Sequence, residues 1–398
     1  MRIALFAETF LPKWDGIAHT LCRLLEHLAA AGHTSIMFAP RGAPSVYAQT
    51  PIVGLPCFRF PLYPDLRLVP PLVHVEKQLQ AFHPDLIHVV NPVSLGWVGL
   101  RHARKLDLPV VASYHTNVPD YAVRYGLPWL RKPLWAYFRR IHNQADLNLC
   151  PSRFTRDELV AHGFERIRLW GRGVDTQRFH PAHRTAEWRN YLSGGQPDAP
   201  LLLFVGRVAL EKRIDWLRPL FETLPQARLA IVGDGPARRQ IEKLFANTPT
   251  VFTGYLQGEA LARAYASADL FVFPSATETF GNVVLEAMAS GLPVVVARAG
   301  GPVDHVRHGE NGLTFDPNDL QDMLEQVQRL VLTPGLIQTL GANARAYAET
   351  QTWTAILDGL LKDYESVIAE YKPRHHHIAA NRGKSKPRPY VIVPRLPG

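Results

Sequence analysis

The sequence predicts an α/β protein with two domains, each built on a parallel β-sheet that has helices on both faces. Short apolar strands alternate with amphipathic helical stretches along most of the chain, and this alternation is typical of parallel sheets. At 398 residues the chain is also long for a single hydrophobic core. The alternation stops between residues 181 and 200 and then resumes, so we expect two facing domains with a cleft between their strand ends.

The first domain is expected to span residues 1–180. Its first strand is the apolar run Arg2–Ala7, followed by a loop through Asp15-Gly16 and an amphipathic helix that ends at Gly32. Glycine is favoured after a helix because it adopts the left-handed cap without steric cost. The later strands are short apolar runs, at Thr34–Ala39, Asp85–Val90, Pro109–Ser113 and Asp146–Leu149.

The second domain is expected to span residues 201–350, after a turn-rich linker at 181–200. A helix at 351–371 is long enough to return to the first domain. The basic tail at 372–398 is expected to be disordered, and its three consecutive histidines, His375-His-His377, could bind a metal or remain solvated. The predicted strands of this domain are Leu201–Val205, Arg228–Val232, Thr250–Phe252, Asp269–Phe273 and Pro293–Ala297.

Composition bounds the class of protein. The three cysteines, Cys22, Cys57 and Cys150, form no CxxC pair, which favours a reducing compartment and excludes a disulfide framework or a cysteine-based zinc site. The N-terminus reaches Glu8 too early for a signal peptide, and no apolar run approaches the ~20 residues of a spanning helix. We expect a cytoplasmic protein that is soluble or peripheral on the cytoplasmic face of a membrane.

The net charge of +9 is distributed unevenly. Basic residues outnumber acidic ones in residues 1–170 and in the tail, whereas residues 171–371 carry a net negative charge. A positive field of this kind implies an anionic partner, either nucleic acid or an anionic membrane. The most basic stretch is only a short tail and no RNA- or DNA-binding motif is present, so no nucleic-acid partner is expected.

The most informative stretch is Pro274-Ser-Ala-Thr-Glu-Thr-Phe-Gly-Asn-Val-Val-Leu-Glu286. Seven residues separate its two carboxylates, with Glu278 in a loop after a strand and Glu286 about one turn into a helix. Free N–H groups at a helix start attract phosphate, and a carboxylate accepts hydrogen bonds from sugar hydroxyls. The arrangement suits a nucleotide-sugar, which has phosphate in the middle and a sugar at each end. Chance spacing of two surface acids is the alternative.

Two cations follow the first strand of the second domain. Arg207 comes directly after Gly206, and Lys212 follows five residues later. An arginine fork and a lysine point charge at a strand's carboxyl end are well placed for a diphosphate, although a solvated pair at a helix start is equally compatible. The turn Val232-Gly-Asp-Gly-Pro236 is expected at the same edge.

In the first domain, Gly16 lets the backbone approach a ligand closely, and His115 follows an apolar strand, where a histidine is structural or catalytic.

These motifs resemble the retaining glycosyltransferases of family 4, which have the GT-B fold of two facing Rossmann-like domains. The resemblance covers roughly residues 1–371 and includes the glutamate pair, the Arg and Lys cations, the Gly-Asp-Gly-Pro turn, and Gly173-Val-Asp175 leading to Phe179-His-Pro181. It implies a hexosyltransferase that uses a UDP- or GDP-linked sugar and needs no metal and no cofactor. A sugar-nucleotide epimerase shares the fold, but the transferase motifs argue against it.

The resemblance also implies roles for single residues. Glu278 would bind hydroxyls of the donor sugar and Glu286 the ribose, while the two cations would hold the diphosphate and stabilise the leaving group. The catalytic residues would be His115, Arg207, Lys212 and Glu278. The donor-binding residues would be Gly16, Phe280, Gly281, Asn282 and Glu286.

Three further segments are similar to transferases that glycosylate membrane lipids, namely the sulfoquinovosyl- and glycosyl-diacylglycerol synthases. They are Ser113-Tyr-His-Thr-Asn-Val-Pro-Asp120, Leu169-Trp-Gly-Arg-Gly-Val-Asp175 and Thr253-Gly-Tyr-Leu-Gln-Gly-Glu259. The resemblance therefore implies a lipid acceptor such as diacylglycerol or a glycosyl-diacylglycerol. A soluble or polysaccharide acceptor is the alternative within the family.

A candidate membrane contact lies in the stretch 121–143. After Pro133 an amphipathic helix is expected, with basic residues on one face and interfacial tryptophans near its boundary. This composition suits a helix that lies on anionic lipid, and packing on its own domain is the alternative. The residues expected at the membrane or acceptor are Trp129, Lys132, Trp135, Arg139 and Arg140.

Overall fold

The structure is a computed structural model that describes residues 1–13, 15–60, 63–124 and 126–373. From residue 374 onward the basic tail lies outside these ranges, and so do its three histidines. Within the described ranges, no helix is both long enough and apolar enough to cross a lipid bilayer.

The first domain contains one large sheet. Its strands are β1 (Arg2–Ala7), β2 (Thr34–Pro40), β3 (Val46–Tyr47), β4 (Thr50–Leu55), β5 (Phe58–Phe60), β6 (Tyr63–Leu68), β7 (Leu86–Val90), β8 (Val110–Ser113), β9 (Leu147–Cys150) and β10 (Ile167–Leu169). Eight of them form the order β10-β9-β8-β7-β1-β2-β4-β3, and β5 pairs with β6 separately. Neighbours in the large sheet are parallel except β3 and β4.

Helices cover both faces of this sheet. They are α1 (Gly16–Ala30), α2 (Glu76–Phe82), α3 (Leu95–Leu106), α4 (Val118–Arg124), α5 (Arg131–His142) and α6 (Arg153–Ala161). Alternate side chains of β1 enter different cores, because successive residues of a strand point to opposite faces. Ile3 and Leu5 join the core beneath α1, whereas Ala4 and Phe6 join the core beneath α3.

The second domain is a six-stranded parallel sheet. Its strands are β11 (Leu201–Val205), β12 (Arg228–Val232), β13 (Thr250–Gly254), β14 (Leu270–Phe273), β15 (Val294–Ala297) and β16 (Gly312–Phe315), in the order β13-β12-β11-β14-β15-β16. The remaining helices are α7 (Ala186–Leu192), α8 (Leu220–Thr223), α9 (Arg238–Leu244), α10 (Gly258–Ser267), α11 (Asn282–Ala289), α12 (Leu320–Leu332), α13 (Leu336–Thr350) and α14 (Trp353–Glu370).

The predicted fold class, two Rossmann-like parallel-sheet domains, is confirmed. Every strand predicted from the sequence is present, with bounds that differ by two residues or fewer. The strands that the sequence did not reveal are the short or interrupted ones. Strand β4 contains Pro51 and Gly54, both of which weaken a strand pattern, and β10 is a three-residue strand at the sheet edge.

The stretch 181–200, expected as a linker, is folded onto the second domain through α7. Arg189 of this helix is buried, with 7% of its surface exposed. Its guanidinium donates to the carbonyl oxygens of Pro197 (2.7 Å), Ala199 (2.6 Å) and Ser267 (3.0 Å), and it pairs with Asp269 at 2.7 Å. A buried arginine is tolerated because these partners satisfy its donors.

Helix α14 follows the second domain but packs on the first. Its residues Leu357, Leu360 and Tyr364 lie in the core beneath α1. The chain therefore crosses between the domains twice, and the two crossings touch: the N–H of Val174 donates to Gln351 O at 2.9 Å, and Val174 forms a parallel bridge with Thr352. Gly173 is in van der Waals contact with this second crossing, since a Cβ there would overlap the backbone of Trp353.

Gly173→Ala is expected to lower the free energy of unfolding by about 1–3 kcal/mol, because overpacking against backbone forces the two crossings apart. Gly359→Ala is the matched control. This glycine is exposed in the middle of α14 and a Cβ there meets nothing within 4 Å, so alanine should stabilise by about 0.5–1 kcal/mol. Urea unfolding of both variants measures the two effects; a Gly173→Ala protein as stable as the parent would contradict the close contact.

Candidate active site

The predicted site residues lie on both walls of a cleft between the two sheets, at the carboxyl ends of the strands. This is where open α/β sheets bind ligands. His115 follows β8 on the first-domain wall, with Gly16 at the start of α1. Arg207 follows β11 and Glu278 follows β14 on the second-domain wall.

The loop after β14 is shaped by its contacts with neighbouring loops. Gly281 caps α11 with φ 87°, a left-handed conformation that favours glycine. A Cβ on Gly281 would lie 2.7 Å from Pro302 Cγ. Phe280 is buried and meets the His305 ring edge-on at 4.6 Å between centroids. The side-chain oxygen of Asn282 is buried without a hydrogen-bond partner among the described residues, so it is available to a ligand donor.

Glu286 is a carboxylate whose surroundings disfavour its charge. The hydroxyl of Tyr265 donates to Glu286 Oε2 at 2.9 Å. Burial raises the pKa of Glu286 to about 7, although the Tyr265 hydrogen bond and the charge of Arg178 act in the opposite direction. A group with a strongly raised pKa in a cleft is a candidate for ligand binding.

Glu278 and Lys212 are joined directly. The ammonium of Lys212 forms an ion pair with Glu278 Oε1, and both side chains are largely buried, at 14% and 26% exposed. Arg207 is exposed and has no ion-pair partner within the described part of the chain. The cleft therefore presents one cation held against a carboxylate and another that is free to meet an anion.

The Gly-Asp-Gly-Pro turn supports the loop that carries Arg207. A Cβ on Gly233 would overlap the carbonyl oxygen of Gly206, and one on Gly235 would overlap that of Val208. The two glycines let the turn pack directly against the loop after β11. Their role here is close backbone packing.

His115 is buried beneath the first-domain wall, with 7% of its surface exposed. Its Nε2 is 3.0 Å from Ser113 Oγ, and its ring meets that of Trp170 edge-on at 5.3 Å. Burial holds the pKa of His115 well below its usual value, and the positive charge of Arg172 acts in the same direction. The imidazole is therefore neutral at physiological pH, and its Nδ1 has no partner among the described residues.

Arg172 is a site residue that the sequence analysis did not identify. It lies in the first crossing between the domains and contacts both walls: a Cβ on Gly16 would be 2.8 Å from its Nη1, and its guanidinium carbon is 6.0 Å from the Phe280 ring centroid. Burial lowers the pKa of Arg172, against the opposing effect of Asp15 and Glu278. An arginine placed between Gly171 and Gly173 was the available signal, because small neighbours allow close packing.

Glu8 is a second residue that the analysis did not identify. It directly follows β1 and accepts hydrogen bonds from the N–H groups of Val93, Ser94 and Leu95 at the start of α3. Burial raises its pKa to about 7. It borders a cavity of about 40 Å³ on the first-domain wall, together with Phe10, Lys13 and Arg67 among other residues. An acid immediately after an apolar strand was the signal in the sequence.

The helix predicted to contact a membrane is α5, and one of its residues does not fit that role. Trp135 is buried, at 5% exposed, and stacks on His162 with 3.8 Å between ring centroids. The expectation that Trp135 reaches the surface is wrong, because it packs on Tyr114 and Phe164 in the core of its own domain. Lys132, Arg139 and Arg140 are exposed, and so is Trp129.

Comparisons with known proteins agree with this architecture. The Glycosyltransferase Family 4 model matches residues 14–178, and the model of Glycosyl transferases group 1 matches residues 199–332. A sulfoquinovosyl transferase of Arabidopsis thaliana is 37% identical over 95% of this chain and 76% of that protein. The chain belongs to glycosyltransferase family 4. The family 4 protein is a glycosyltransferase, as its motifs predicted.

Other relatives and a solved structure extend the comparison. A GDP-mannose-dependent α-mannosyltransferase of Corynebacterium glutamicum is 38% identical over 93% of this chain and 90% of that protein. An α-monoglucosyldiacylglycerol synthase of Streptococcus pneumoniae is 29% identical over 74% of this chain and 70% of that protein. Sucrose-phosphate synthase from Thermosynechococcus elongatus superposes with a TM-score of 0.74 at 25% identity, over 92% of this chain and 99% of that chain. The family 4 chain has the GT-B fold.

Glu286→Gln is expected to raise the melting temperature at pH 8 and to leave it nearly unchanged at pH 4. The folded-state pKa of about 7 lies above the ordinary value of 4.5, so the folded protein binds more protons than the unfolded chain between these values. Stability therefore falls as pH rises from about 4.5 to about 7, and glutamine removes this loss while it still accepts from Tyr265. Melting curves across this range test it; parallel pH profiles for parent and variant would show that Glu286 ionises normally.

Proposed function

We propose that this glycosyltransferase moves a hexose from a UDP- or GDP-linked donor to a membrane lipid, with retention of the donor's anomeric configuration and without a metal or cofactor. The observation that carries the proposal is the grouping of Glu278 and Lys212 beside the start of α11, with Arg172 lying next to both Gly16 and Phe280. This grouping supplies a carboxylate that can accept hydrogen bonds from sugar hydroxyls, a cation, and the N–H groups at a helix start.

The donor would lie along the second-domain wall. Ribose hydroxyls would donate to Glu286 and sugar hydroxyls to Glu278, with the diphosphate between them at the N–H groups of α11. Lys212 would exchange part of its ion pair with Glu278 for the diphosphate. When Lys212 binds the diphosphate, the Glu278 carboxylate would become available to the hydroxyls of the donor sugar.

Charge develops on the diphosphate as the bond to the sugar breaks. Arg207 and Lys212 would stabilise this charge, since fixed cations in a water-poor cleft act more strongly than in bulk water. Arg172 adds a third cation at the inner end of the cleft, close to Gly16. In this proposal the three cations would neutralise the leaving group in place of a metal.

Lys212→Ala and Arg207→Ala are each expected to lower kcat by about 10²–10³-fold, the cost of removing one group that stabilises developing charge. Turnover is measured by mass spectrometry with a panel of nucleotide-sugars and extracted membrane lipids, in excess EDTA. The parent enzyme should form a product with the donor's anomeric configuration, and melting curves should show that both variants are folded.

Three results would overturn parts of this proposal. Near-normal kcat in either variant would remove the role assigned to that cation. An inverted product would remove retention, and an activity that requires added Mg²⁺ would remove metal independence. Activity on water-soluble saccharides alone, without any lipid product, would favour the alternative acceptor class.

A lipid acceptor is supported by the relatives and by the charge distribution. One relative is named for synthesis of a glucosyl-diacylglycerol, and the positive excess of this chain lies in residues 1–170 and the tail. Exposed basic residues of α5 lie on the first domain, beside an open groove of about 340 Å³ lined by Trp97, Arg104, Arg140, Asn143 and Gln144. Basic and aromatic groups together suit the interface of an anionic membrane.

Replacing Lys132, Arg139 and Arg140 by serine is expected to weaken binding to anionic vesicles, by about 1 kcal/mol per residue at low salt. Nucleotide affinity should not change. The matched control replaces three exposed basic residues of the second domain, Arg239, Lys243 and Arg329, which leaves the net charge equal to that of the test variant. Cosedimentation with anionic and neutral vesicles measures the effect; equal loss in both triple variants would show that α5 is not the contact.

A further inference from the structure

A buried chain of hydrogen bonds connects the active-site histidine to the C-terminal helix. The hydroxyl of Tyr364 lies 2.6 Å from His88 Nδ1, His88 Nε2 lies 2.9 Å from Ser113 Oγ, and Ser113 Oγ lies 3.0 Å from His115 Nε2. Tyr364, His88 and Ser113 are each 0% exposed. The four groups span β7, β8 and α14, so they join the loop after β8 to the helix that packs on the same face of the sheet.

The donor and acceptor of each hydrogen bond in this series follow from counting the available protons. Burial lowers the pKa of His88 to about 3 and that of His115 well below its usual value, so each ring is neutral and carries one proton. The Ser113 hydroxyl has one proton and therefore donates to only one of the two ring nitrogens beside it. Three arrangements then form every link. In one, both rings donate to Ser113 Oγ and the serine proton has no acceptor among the described residues, which is costly for a buried hydroxyl. The other two run in opposite directions along the chain of hydrogen bonds.

Tyr364 selects between these arrangements. In one of them His88 Nδ1 donates to the phenol oxygen, and the phenol proton must find another acceptor; among the described residues Tyr364 has no other hydrogen-bond partner. A buried hydroxyl without an acceptor is costly. In the other arrangement the phenol donates to His88 Nδ1, and each of the three links pairs one proton with one acceptor. This arrangement leaves one group without a partner, the Nδ1–H of His115, whereas the first leaves two, the phenol proton and the bare His115 Nδ1.

We propose that Tyr364, His88 and Ser113 are positioning residues that fix His115 as the tautomer with its proton on Nδ1, so that His115 presents an N–H donor to the cleft. The phenol donates to His88, His88 Nε2–H donates to Ser113, and Ser113 donates to His115 Nε2. The Nδ1–H that remains has no protein partner among the described residues. It is a donor for an oxygen atom of the substrate.

This assignment sets what His115 does chemically. A neutral ring whose Nε2 is occupied by Ser113 and whose Nδ1 is protonated has no free lone pair, so His115 orients a substrate oxygen and removes no proton. The oxygen that accepts this hydrogen bond is an uncharged sugar oxygen or a phosphate oxygen of the nucleotide-sugar. The effect on turnover rests on the proposed transferase reaction, whereas the tautomer does not.

The tautomer is measured first, by nitrogen NMR of protein with labelled histidine. The His115 signals are assigned by their absence from His115→Asn. We expect a protonated Nδ1 and an unprotonated Nε2 in the parent, and a mixture or the opposite tautomer in Tyr364→Phe. A proton on Nε2 of His115 in the parent would overturn the proposal whatever the activity of the enzyme.

Leu360→Val is the matched control for the helix. Leu360 lies on α14 one turn before Tyr364 and is buried in the same core, at 1% exposed, but its aliphatic side chain forms no hydrogen bond. It should lower stability and leave the His115 tautomer unchanged. A tautomer change in Leu360→Val as large as in Tyr364→Phe would attribute the effect to helix packing.

Turnover supplies the second test. Tyr364→Phe is expected to lower kcat roughly tenfold, the low end of the cost of losing a supporting hydrogen bond to a site histidine, with UDP or GDP affinity unchanged. His115→Asn should retain more activity than His115→Gln, because the asparagine amide places its NH₂ near the position of Nδ1. Greater activity in His115→Gln, or unchanged kcat in Tyr364→Phe, would contradict the donor role.

Discussion

The double crossing between the domains is the constraint on which the rest of the structure depends. The segment at Gly173-Val174 and the segment at Thr352-Trp353 lie side by side and are hydrogen bonded. This contact fixes where the chain leaves the first domain, at Gly173-Val174, and where it returns to that domain, at the start of α14. Both sets of strand ends consequently face one cleft, and Arg172 is held at its inner end, against Gly16.

The cleft contains charges that do not favour folding. Burial raises the pKa of Glu286 and lowers that of Arg172, so both groups are less easily charged here than in water. In the proposed reaction a ligand would supply further partners for these charges, ribose donors for the carboxylate and phosphate oxygens for the guanidinium. Such a site would bind a ligand more tightly, because the ligand's polar groups offset the free-energy cost of the buried charges.

The sequence predicted the strand ends better than it predicted contacts across the cleft. Strands and the Glu278–Glu286 loop are local patterns, so their positions followed from alternation and turn residues alone. The burial of Trp135 depends on His162 and Phe164, which are distant in sequence, and amphipathic spacing cannot distinguish a core face from a lipid face. Arg172 was missed for the same reason, since its neighbours come from both domains. The roles of the individual site residues stay predictions.

Helix α14 gives the two-domain architecture a chemical consequence. It is the last described helix and follows the whole second domain, yet Tyr364 packs on the first sheet and bonds His88 on the face that α14 covers. Arg168 of β10 pairs with Asp363 at 2.6 Å on the same helix, so a surface ion pair and a buried phenol hold α14 to the first domain. Under the proposed hydrogen-bond arrangement, the proton on His115 depends on a helix that follows the second domain in sequence, so a correctly packed α14 is a condition for the proposed donor on His115.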